Sequence, residues 1–223
     1  MNPKQLAAEK AVSFLENGMT VGLGTGSTAY WAIEKIGEKV QKEGWQLKAI
    51  ATSLRSEEQA RGLGIPIVNF SEIRSIDLTI DGADEVDGQL QLIKGGGGAL
   101  LREKIVATNS KQMIVVADES KWVKTLGNFP LPVEVILFGW ERTFEKLQKL
   151  GCRGNLRMIG IEPYVTDNGN YIIDCAFERI EDAPGLHESV NAITGVVDNG
   201  LFIRIASKLV LGFSNGETQI ITR

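Results

Sequence analysis

The sequence predicts an α/β protein of two domains. One is an open, mostly parallel sheet over 1–129 completed by 206–223; the other is a smaller α+β domain over 130–205. Three observations lead there. Short apolar runs alternate with helical patterns from Met19 to Ala117, which is how successive βαβ units read. Pro130 and Pro132 then break the rhythm, because proline lacks an N–H and gathers at edges and boundaries. Beyond them the patterns run β, α, β, β, α, β, a ferredoxin-like unit.

The elements follow in order. A first amphipathic helix is expected over 4–17, stopped by Gly18, a residue that tolerates the left-handed C-terminal turn. An apolar strand over 19–23 enters the glycine-rich loop 22–28, and Tyr30, Ile33, Ile36 and Val40 then recur near a 3.6-residue period. A strand at 47–51, a helix at 53–63 stopped by Gly64, and strands at 65–68 and 78–80 come next. A strand at 90–93 leads into four glycines, followed by a helix over 99–109 and a fully apolar strand over 113–117. In the second domain, strands are expected at 133–137, 156–159, 164–166, 171–175 and 200–205, with helices at 141–150 and 185–193. Asp167-Asn168-Gly169-Asn170 is a hairpin turn, since Asn-Gly accepts positive φ. Strands at 208–212 and 219–222 return to the first sheet.

Composition removes several function classes. The formal net charge is −4, so the chain is not built to hold a polyanion, which argues against nucleic acid as a partner. No apolar run reaches the roughly 18 residues a membrane span needs, and the first residues read as a helix rather than a signal peptide. The two cysteines, Cys152 and Cys175, are too few for a disulfide framework and read as buried thiols of a cytoplasmic protein. The chain has one histidine, His187, in a helical segment far from the glycines, where it reads as a surface or helix-start residue. That placement argues against Ser-His-Asp and Cys-His mechanisms, and a single histidine argues against a multi-histidine metal centre. Acid–base chemistry falls to carboxylates and lysines.

Three segments carry that chemistry. Around Gly22-Leu23-Gly24-Thr25-Gly26-Ser27-Thr28, bare backbone, three hydroxyls and a following helix N-terminus favour a small anion. A dinucleotide fits badly: Ser27 stands where the fingerprint needs glycine, and Thr52-Ser53 occupies the place of the ribose-binding acid. A monophosphate cradle fits better; a glycine turn with a hydroxyl cap is the alternative. The loop Asp81-Gly82-Ala83-Asp84-Glu85-Val86-Asp87 follows an apolar strand, and ligand crevices in open α/β sheets lie beyond such strand ends. Its acids lack the spacing of a calcium loop, so it is a candidate site or a plain acidic turn. Lys94-Gly95-Gly96-Gly97-Gly98 precedes a helix whose first turn carries Glu103. Four glycines in a row cost conformational entropy, which argues that something needs the bare backbone there; Glu103 otherwise reads as a surface acid complementing the helix dipole.

GLGTGSTA at 22–29, DGADEVD at 81–87, KGGGGALLREK at 94–104 and FPLPVEV at 129–135, in that order, resemble the signatures of the ribose-5-phosphate isomerase A family. The likeness continues through DESKWVKTLG at 118–127, TDNGNYIIDC at 166–175 and ITGVVDNGLF at 193–202. The resemblance implies a Rossmann-like domain with a small lid, no cofactor and no metal, a pentose 5-phosphate substrate, and a homodimer or homotetramer. It implies that Glu103 is the general base, and that Asp81, Asp84 and Lys94 hold sugar hydroxyls and assist ring opening. Thr25, Gly26, Ser27 and Thr28 match a substrate-binding loop, as do Gly82 and Ala83. Gly95, Gly96 and Gly97 match backbone contacts, and Lys121 a substrate-contacting lysine at the phosphate. SLRSEEQA at 53–60 and FIRIASKLVLG at 202–212 depart from the family pattern in detail.

Three rivals stand beside that reading. An amino-sugar-phosphate deaminase would use a histidine, which no acidic or glycine motif here contains. A CoA transferase would be longer. A sugar-phosphate sensor of a transcription regulator would carry a basic helix-turn-helix, and this acidic chain shows none.

Overall fold

The computed structural model describes residues 2–223. In chain order the elements are α1 (Pro3–Val12), β1 (Thr20–Leu23), α2 (Ala29–Glu43), β2 (Lys48–Ala51), α3 (Leu54–Gly62), β3 (Ile76–Gly82), β4 (Glu85–Val86), β5 (Leu92–Ile93), α4 (Leu100–Thr108) and β6 (Ser110–Asp118). There follow β7 (Leu131–Val135), α5 (Trp140–Gln148), β8 (Arg153–Leu156), β9 (Met158–Ile159), β10 (Glu162–Pro163), β11 (Tyr171–Ala176), α6 (Ala183–Asn191), β12 (Val196–Asn199), β13 (Leu201–Phe202), β14 (Lys208–Gly212) and β15 (Thr218–Thr222). They fall into two compact units. The first holds the chain up to Ala83, Arg102–Trp122 and Arg204–Arg223; the second holds Asp84–Leu101 and Val123–Ile203.

The first unit is a six-stranded sheet of order β15-β14-β6-β3-β1-β2. All neighbours are parallel except β14 and β15. Central parallel strands are covered on both faces and so read as unbroken apolar runs; in β6, Met113, Ile114, Val115, Val116 and Ala117 are all buried. The fold is Rossmann-like, as expected. Its core joins Val21, Leu23, Ile80 and Val116 to Ile33 and Ile36 of α2 and to the small residues Ala7, Ala8 and Ala11 of α1. Small residues let α1 lie close to the sheet: a Cβ at Gly212 of β14 would collide with the Pro3 carbonyl.

The second unit holds a four-stranded antiparallel sheet of order β12-β7-β11-β8. Numbered within the βαββαβ run, that order is 4-1-3-2, the ferredoxin-like arrangement. Its core gathers Leu131, Val133 and Val135 of β7, Ile173 and Cys175 of β11, Leu147 of α5 and Val190 of α6. Two small sheets accompany it, β13-β5-β4 and the hairpin β9-β10.

Several boundaries differ from those expected. Helix α1 ends at Val12, where the Ser13 hydroxyl donates to Lys10 O at 2.6 Å and competes with the next helical turn. Gly18, at φ +93°, lies in the connection that follows. The strand expected at 65–68 is a single parallel bridge between Ala49 and Ile67. The strand expected at 164–166 is absent: Thr166 instead frames the turn, its N–H donating to Asn170 O at 2.8 Å. Of the strand expected at 200–205 only β13 forms, and it pairs with β5; the strand that closes the four-stranded sheet is β12, which lies just before that run. Gly200 separates them because a Cβ there would strike Lys94 O.

Candidate active site

In the first unit the site begins where β1 has β2 on one side and β3 on the other. The chain moves from β1 to β2, then returns across β1 to build β3, which makes the ends of β1 and β3 a topological switch point, the usual position of a ligand crevice. Leu23 pairs with Ile80 and with Ala51, so β1 and β2 end level and β3 runs two residues further, to Gly82. Loop 24–28 leaves β1 there, and Gly26 turns it at φ +109°.

Asp81 ties this loop to β3. It is fully buried, and its Oδ1 accepts from the N–H of Thr25 at 3.0 Å and of Gly82 at 2.7 Å. Gly24 makes the approach possible, since a Cβ there would come within 2.5 Å of Asp81 Cα. Gly82 lies beside the same loop, 3.9 Å from Thr25 O and 4.0 Å from Thr28 Cβ when measured from an added Cβ.

The hydroxyls of the loop divide between two jobs. Thr25 Oγ1 donates to Ser53 Oγ at 2.8 Å, Ser53 Oγ to Ser56 Oγ at 3.0 Å, and Ser56 Oγ to Gly24 O at 2.8 Å. Thr52 Oγ1 lies 2.7 Å from Thr25 Oγ1 and donates to Leu23 O at 3.1 Å. Thr25 is thus built into a hydroxyl chain under the loop. Ser27 faces outward and accepts from Lys4 Nζ at 2.9 Å. The sequence offered no signal for Lys4, one helix lysine among many, nor for the support from Thr52, Ser53 and Ser56. Lys121 lies in the single turn Glu119–Lys121 after β6, capped by Asp118. Glu103 lies in the first turn of α4 and is 3 % exposed, so it is not the surface acid that the bland reading allowed.

The second unit carries the other candidates. Asp84 Oδ2 accepts from Gly96 N–H at 2.7 Å, and Asp84 N–H donates to Ile93 O at 2.8 Å. Glycine is required at 96, where a Cβ would come within 2.6 Å of Asp84 Oδ1. Gly95 and Gly98 turn the loop at φ +101° and +84°, closed by Gly98 N–H donating to Gly95 O at 2.9 Å. Lys94 is 2 % exposed; its N–H donates to Gly200 O at 2.9 Å and its Nζ lies 5.5 Å from the Phe202 ring centroid. A buried ammonium above a ring face is favoured electrostatically. Tyr164 packs against Gly98, its Cε1 2.7 Å from where a Cβ would stand. Burial first, and Asp167 second, push its phenol above the ordinary value, so the ring stays neutral.

The structure therefore joins Thr25, Ser27, Thr28, Asp81 and Gly82 in one constellation, and Asp84, Lys94 and the glycine loop in another. Ala83 is the last residue of its segment of the first unit and Asp84 opens the second. Among the described residues no group of three or more His, Cys, Asp or Glu side chains is placed to hold a metal ion, and no helix is long and apolar enough to cross a membrane. His187 is half-buried, its Nδ1 3.2 Å from Asn199 Oδ1. Cys152 and Cys175 are buried free thiols.

Comparison with known proteins adds the chemistry of relatives. The family described as ribose 5-phosphate isomerase A (phosphoriboisomerase A) matches residues 48–216. The ribose-5-phosphate isomerase A of Bacillus mycoides is 55 % identical over 217 residues, covering 97 % of this chain and 98 % of its own. The ribose 5-phosphate isomerase of Plasmodium falciparum superposes with a TM-score of 0.95 at 38 % identity, over 99 % of this chain and 97 % of that one. A D-ribose-5-phosphate isomerase in complex with phospho-erythronic acid gives the same TM-score and identity over the full length of both chains.

Proposed function

The chain belongs to the ribose 5-phosphate isomerase A family and is an aldose–ketose isomerase; from that premise we propose that it interconverts D-ribose 5-phosphate and D-ribulose 5-phosphate through an enediolate. The observation that carries the reading is loop 24–28 and the buried Asp81 at the switch point of the sheet, in a chain that also buries Glu103 and Lys94. A phosphosugar accounts for the cradle and for the carboxylates. That one structural relative was solved with phospho-erythronic acid supports this substrate class.

The residue roles follow from chemistry. Isomerisation carries one proton from C2 to C1 and one from O2 to O1. Glu103 takes the C2 proton of the open-chain aldose; the electron pair forms the C1–C2 double bond and charge gathers on O1. Glu103 then returns the proton to C1. A positioned base of this kind contributes about 10²- to 10⁴-fold. Lys94 stabilises the charge on oxygen, an electrostatic contribution that is large in a water-poor setting. Asp81 and Asp84 hold hydroxyls and assist ring opening, Gly95, Gly96 and Gly97 offer backbone contacts, and Gly82 and Ala83 line the substrate loop. Gly26, Ser27 and Thr28 hold the phosphate together with Lys4 and Lys121, while Thr25 supports them from below. The electrons stay within the substrate, so the mechanism calls for no redox cofactor, and carboxylates with Lys94 serve it without a metal. The reaction belongs to the non-oxidative pentose phosphate pathway in the cytoplasm, carried out by a homodimer or homotetramer.

The direct test is formation of ribulose 5-phosphate from ribose 5-phosphate by the purified chain after exhaustive EDTA treatment. Turnover should persist, and in deuterated water deuterium should enter the transferred position. Loss of activity restored only by a divalent cation would refute the carboxylate mechanism.

A further inference from the structure

We infer that Arg157 is a positioning residue for this reaction, acting through the glycine loop to aim two backbone amides and the Asp84 carboxylate; the inference rests on the reading that Asp84 and this loop meet the substrate. The guanidinium has two sides, and both are used. One grips Asp174 in a fork, with Nε donating to Oδ2 at 2.9 Å and Nη2 to Oδ1 at 2.5 Å. The other reaches the loop, with Nη1 donating to Gly95 O at 2.9 Å and to Gly96 O at 3.2 Å. The Tyr164 ring lies beside it, 5.8 Å from the guanidinium carbon to the ring centroid, and Tyr164 N–H donates to Arg157 O at 2.8 Å.

Geometry converts this clamp into a statement about amides. All peptide bonds of the described chain are trans, so in each plane the N–H points opposite the carbonyl. With Gly95 O and Gly96 O both drawn to Nη1, the N–H groups of Gly96 and Gly97 are turned away from Arg157. Gly96 N–H lands on Asp84 Oδ2 at 2.7 Å. Gly97 N–H is delivered in the same sense. Glycines have no side chain to hold such an orientation, and their backbone is the most mobile of any residue, so the aim must come from outside the loop. Arg157 supplies it, and Asp174 and Tyr164 immobilise Arg157. The planar fork is what allows one side chain to hold a carboxylate and two carbonyls together, and lysine cannot reproduce it.

The test uses the full chain with Arg157→Ala, Arg157→Lys and Asp174→Asn. Misplacing catalytic groups by about 1 Å costs on the order of 10²-fold. Arg157→Ala should lose about 10- to 100-fold in kcat, with KM moving less than about threefold. Affinity for 4-phospho-erythronate, whose carboxylate imitates the enediolate, should fall in parallel. Competitive inhibition by inorganic phosphate should stay within about twofold, because the phosphate loop is not touched. Free guanidinium should restore part of the rate to Arg157→Ala, which a merely structural role would not allow. Arg157→Lys should remain impaired, and Asp174→Asn, which keeps every loop contact but loosens the fork, should show the same pattern more weakly; these two also carry the test if the alanine variant does not fold. Unchanged kcat in Arg157→Ala or Arg157→Lys, or equal losses in kcat and phosphate affinity, would overturn the inference while leaving the functional reading intact. An unsubstituted chain inactive on ribose 5-phosphate would overturn both.

Discussion

Gly24→Ala adds one methyl group at a crowded point beside the switch point of the sheet. The new Cβ would stand 2.5 Å from Asp81 Cα and closer still to its carboxyl group, well inside the carbon–carbon contact distance of about 3.5–4.0 Å. The obstruction includes backbone, so a side-chain rotation does not relieve it. Gly24 N–H also donates to Ile80 O at 2.9 Å, so separating the two chains breaks a ladder bond. Overpacking of this kind costs about 1–3 kcal/mol, which in a domain of this size lowers Tm by roughly 2–12 °C. Asp81 must move as well, and with it the two N–H donors that fix loop 24–28; a shift near 1 Å lowers turnover about 10²-fold. Gly62→Ala is the control. It lies at the end of α3 with nothing within 4 Å of an added Cβ, and alanine there is worth up to about 1 kcal/mol in the helix's favour. Thermal melts and ribose 5-phosphate turnover of both variants decide the matter. A Gly24→Ala protein that melts and turns over like the unsubstituted chain would refute the claim that this close approach holds Asp81 and the loop in place.

Glu103→Gln keeps shape and removes the proposed base, so kcat should fall by about 10²- to 10⁴-fold with little change in substrate affinity; near-normal turnover would make Glu103 structural. Lys4→Ala removes the ammonium that reaches Ser27, and should raise KM for ribose 5-phosphate several-fold while leaving any turnover of free ribose, which lacks the phosphate, unchanged; equal effects on both would detach Lys4 from the phosphate. Lys111, whose Nζ lies 2.6 Å from Asp77, and then the Thr20 N–H hold the Asp77 carboxyl below its ordinary value. A depressed carboxylate contributes stability above the unfolded value and loses it as pH falls through the folded one. Denaturant melts of Asp77→Asn should therefore show a deficit below about 1 kcal/mol at neutral pH, small because the pair is largely solvated, and none in strong acid; a deficit independent of pH would refute the linkage. Glu85→Gln should destabilise by about 1–3 kcal/mol with kcat unchanged in the folded fraction, and a loss of kcat instead would place Glu85 in the chemistry.

How far the fold was legible depended on how locally each element is determined. Long apolar runs such as β6 and amphipathic helices such as α2 carry their period in the sequence, and they stand where expected. The βαββαβ run was legible for the same reason. The two-residue strands β4, β5 and β13 are too short to have a period; they exist because their backbones pair with one another. Nothing local shows that Asp84–Leu101 clusters with the second unit, or that Leu90 adopts φ +57°. Helix α1 was overestimated because Leu15 continues its apolar pattern and is indeed buried, but in a turn rather than a helix. The glycine segments marked the candidate site through their backbone cost. Lys4 and Arg157 did not, because a lysine 23 residues from its partner and an arginine 61 residues from its loop leave no mark that spacing can reveal.

The acidic loop 81–87 shows how one motif can mix scaffold and chemistry. Four carboxylates in seven residues should repel, yet each is directed to backbone donors of its own. Asp81 Oδ1 takes the N–H groups of Thr25 and Gly82. Asp84 Oδ2 takes that of Gly96. Glu85 is 3 % exposed and gives both oxygens to the second unit's loop, accepting from Gly127 and Phe129 at 2.7 Å each. Asp87 Oδ1 accepts from Gln89 and Gln91 at 2.9 Å, closing the turn before β5. Charge-assisted bonds to N–H groups are roughly twice as strong as neutral ones, and such bonds offset the repulsion. The pattern also ranks the acids. Glu85, with both oxygens on backbone amides, is structural, and Asp87 braces a local turn. Asp81 and Asp84 each anchor a glycine-containing loop of a different unit. In the proposed reaction these two carboxylates shape the loops beside the substrate and meet its hydroxyls. In the proposed reaction the proton on carbon moves instead on Glu103, a buried acid outside this motif.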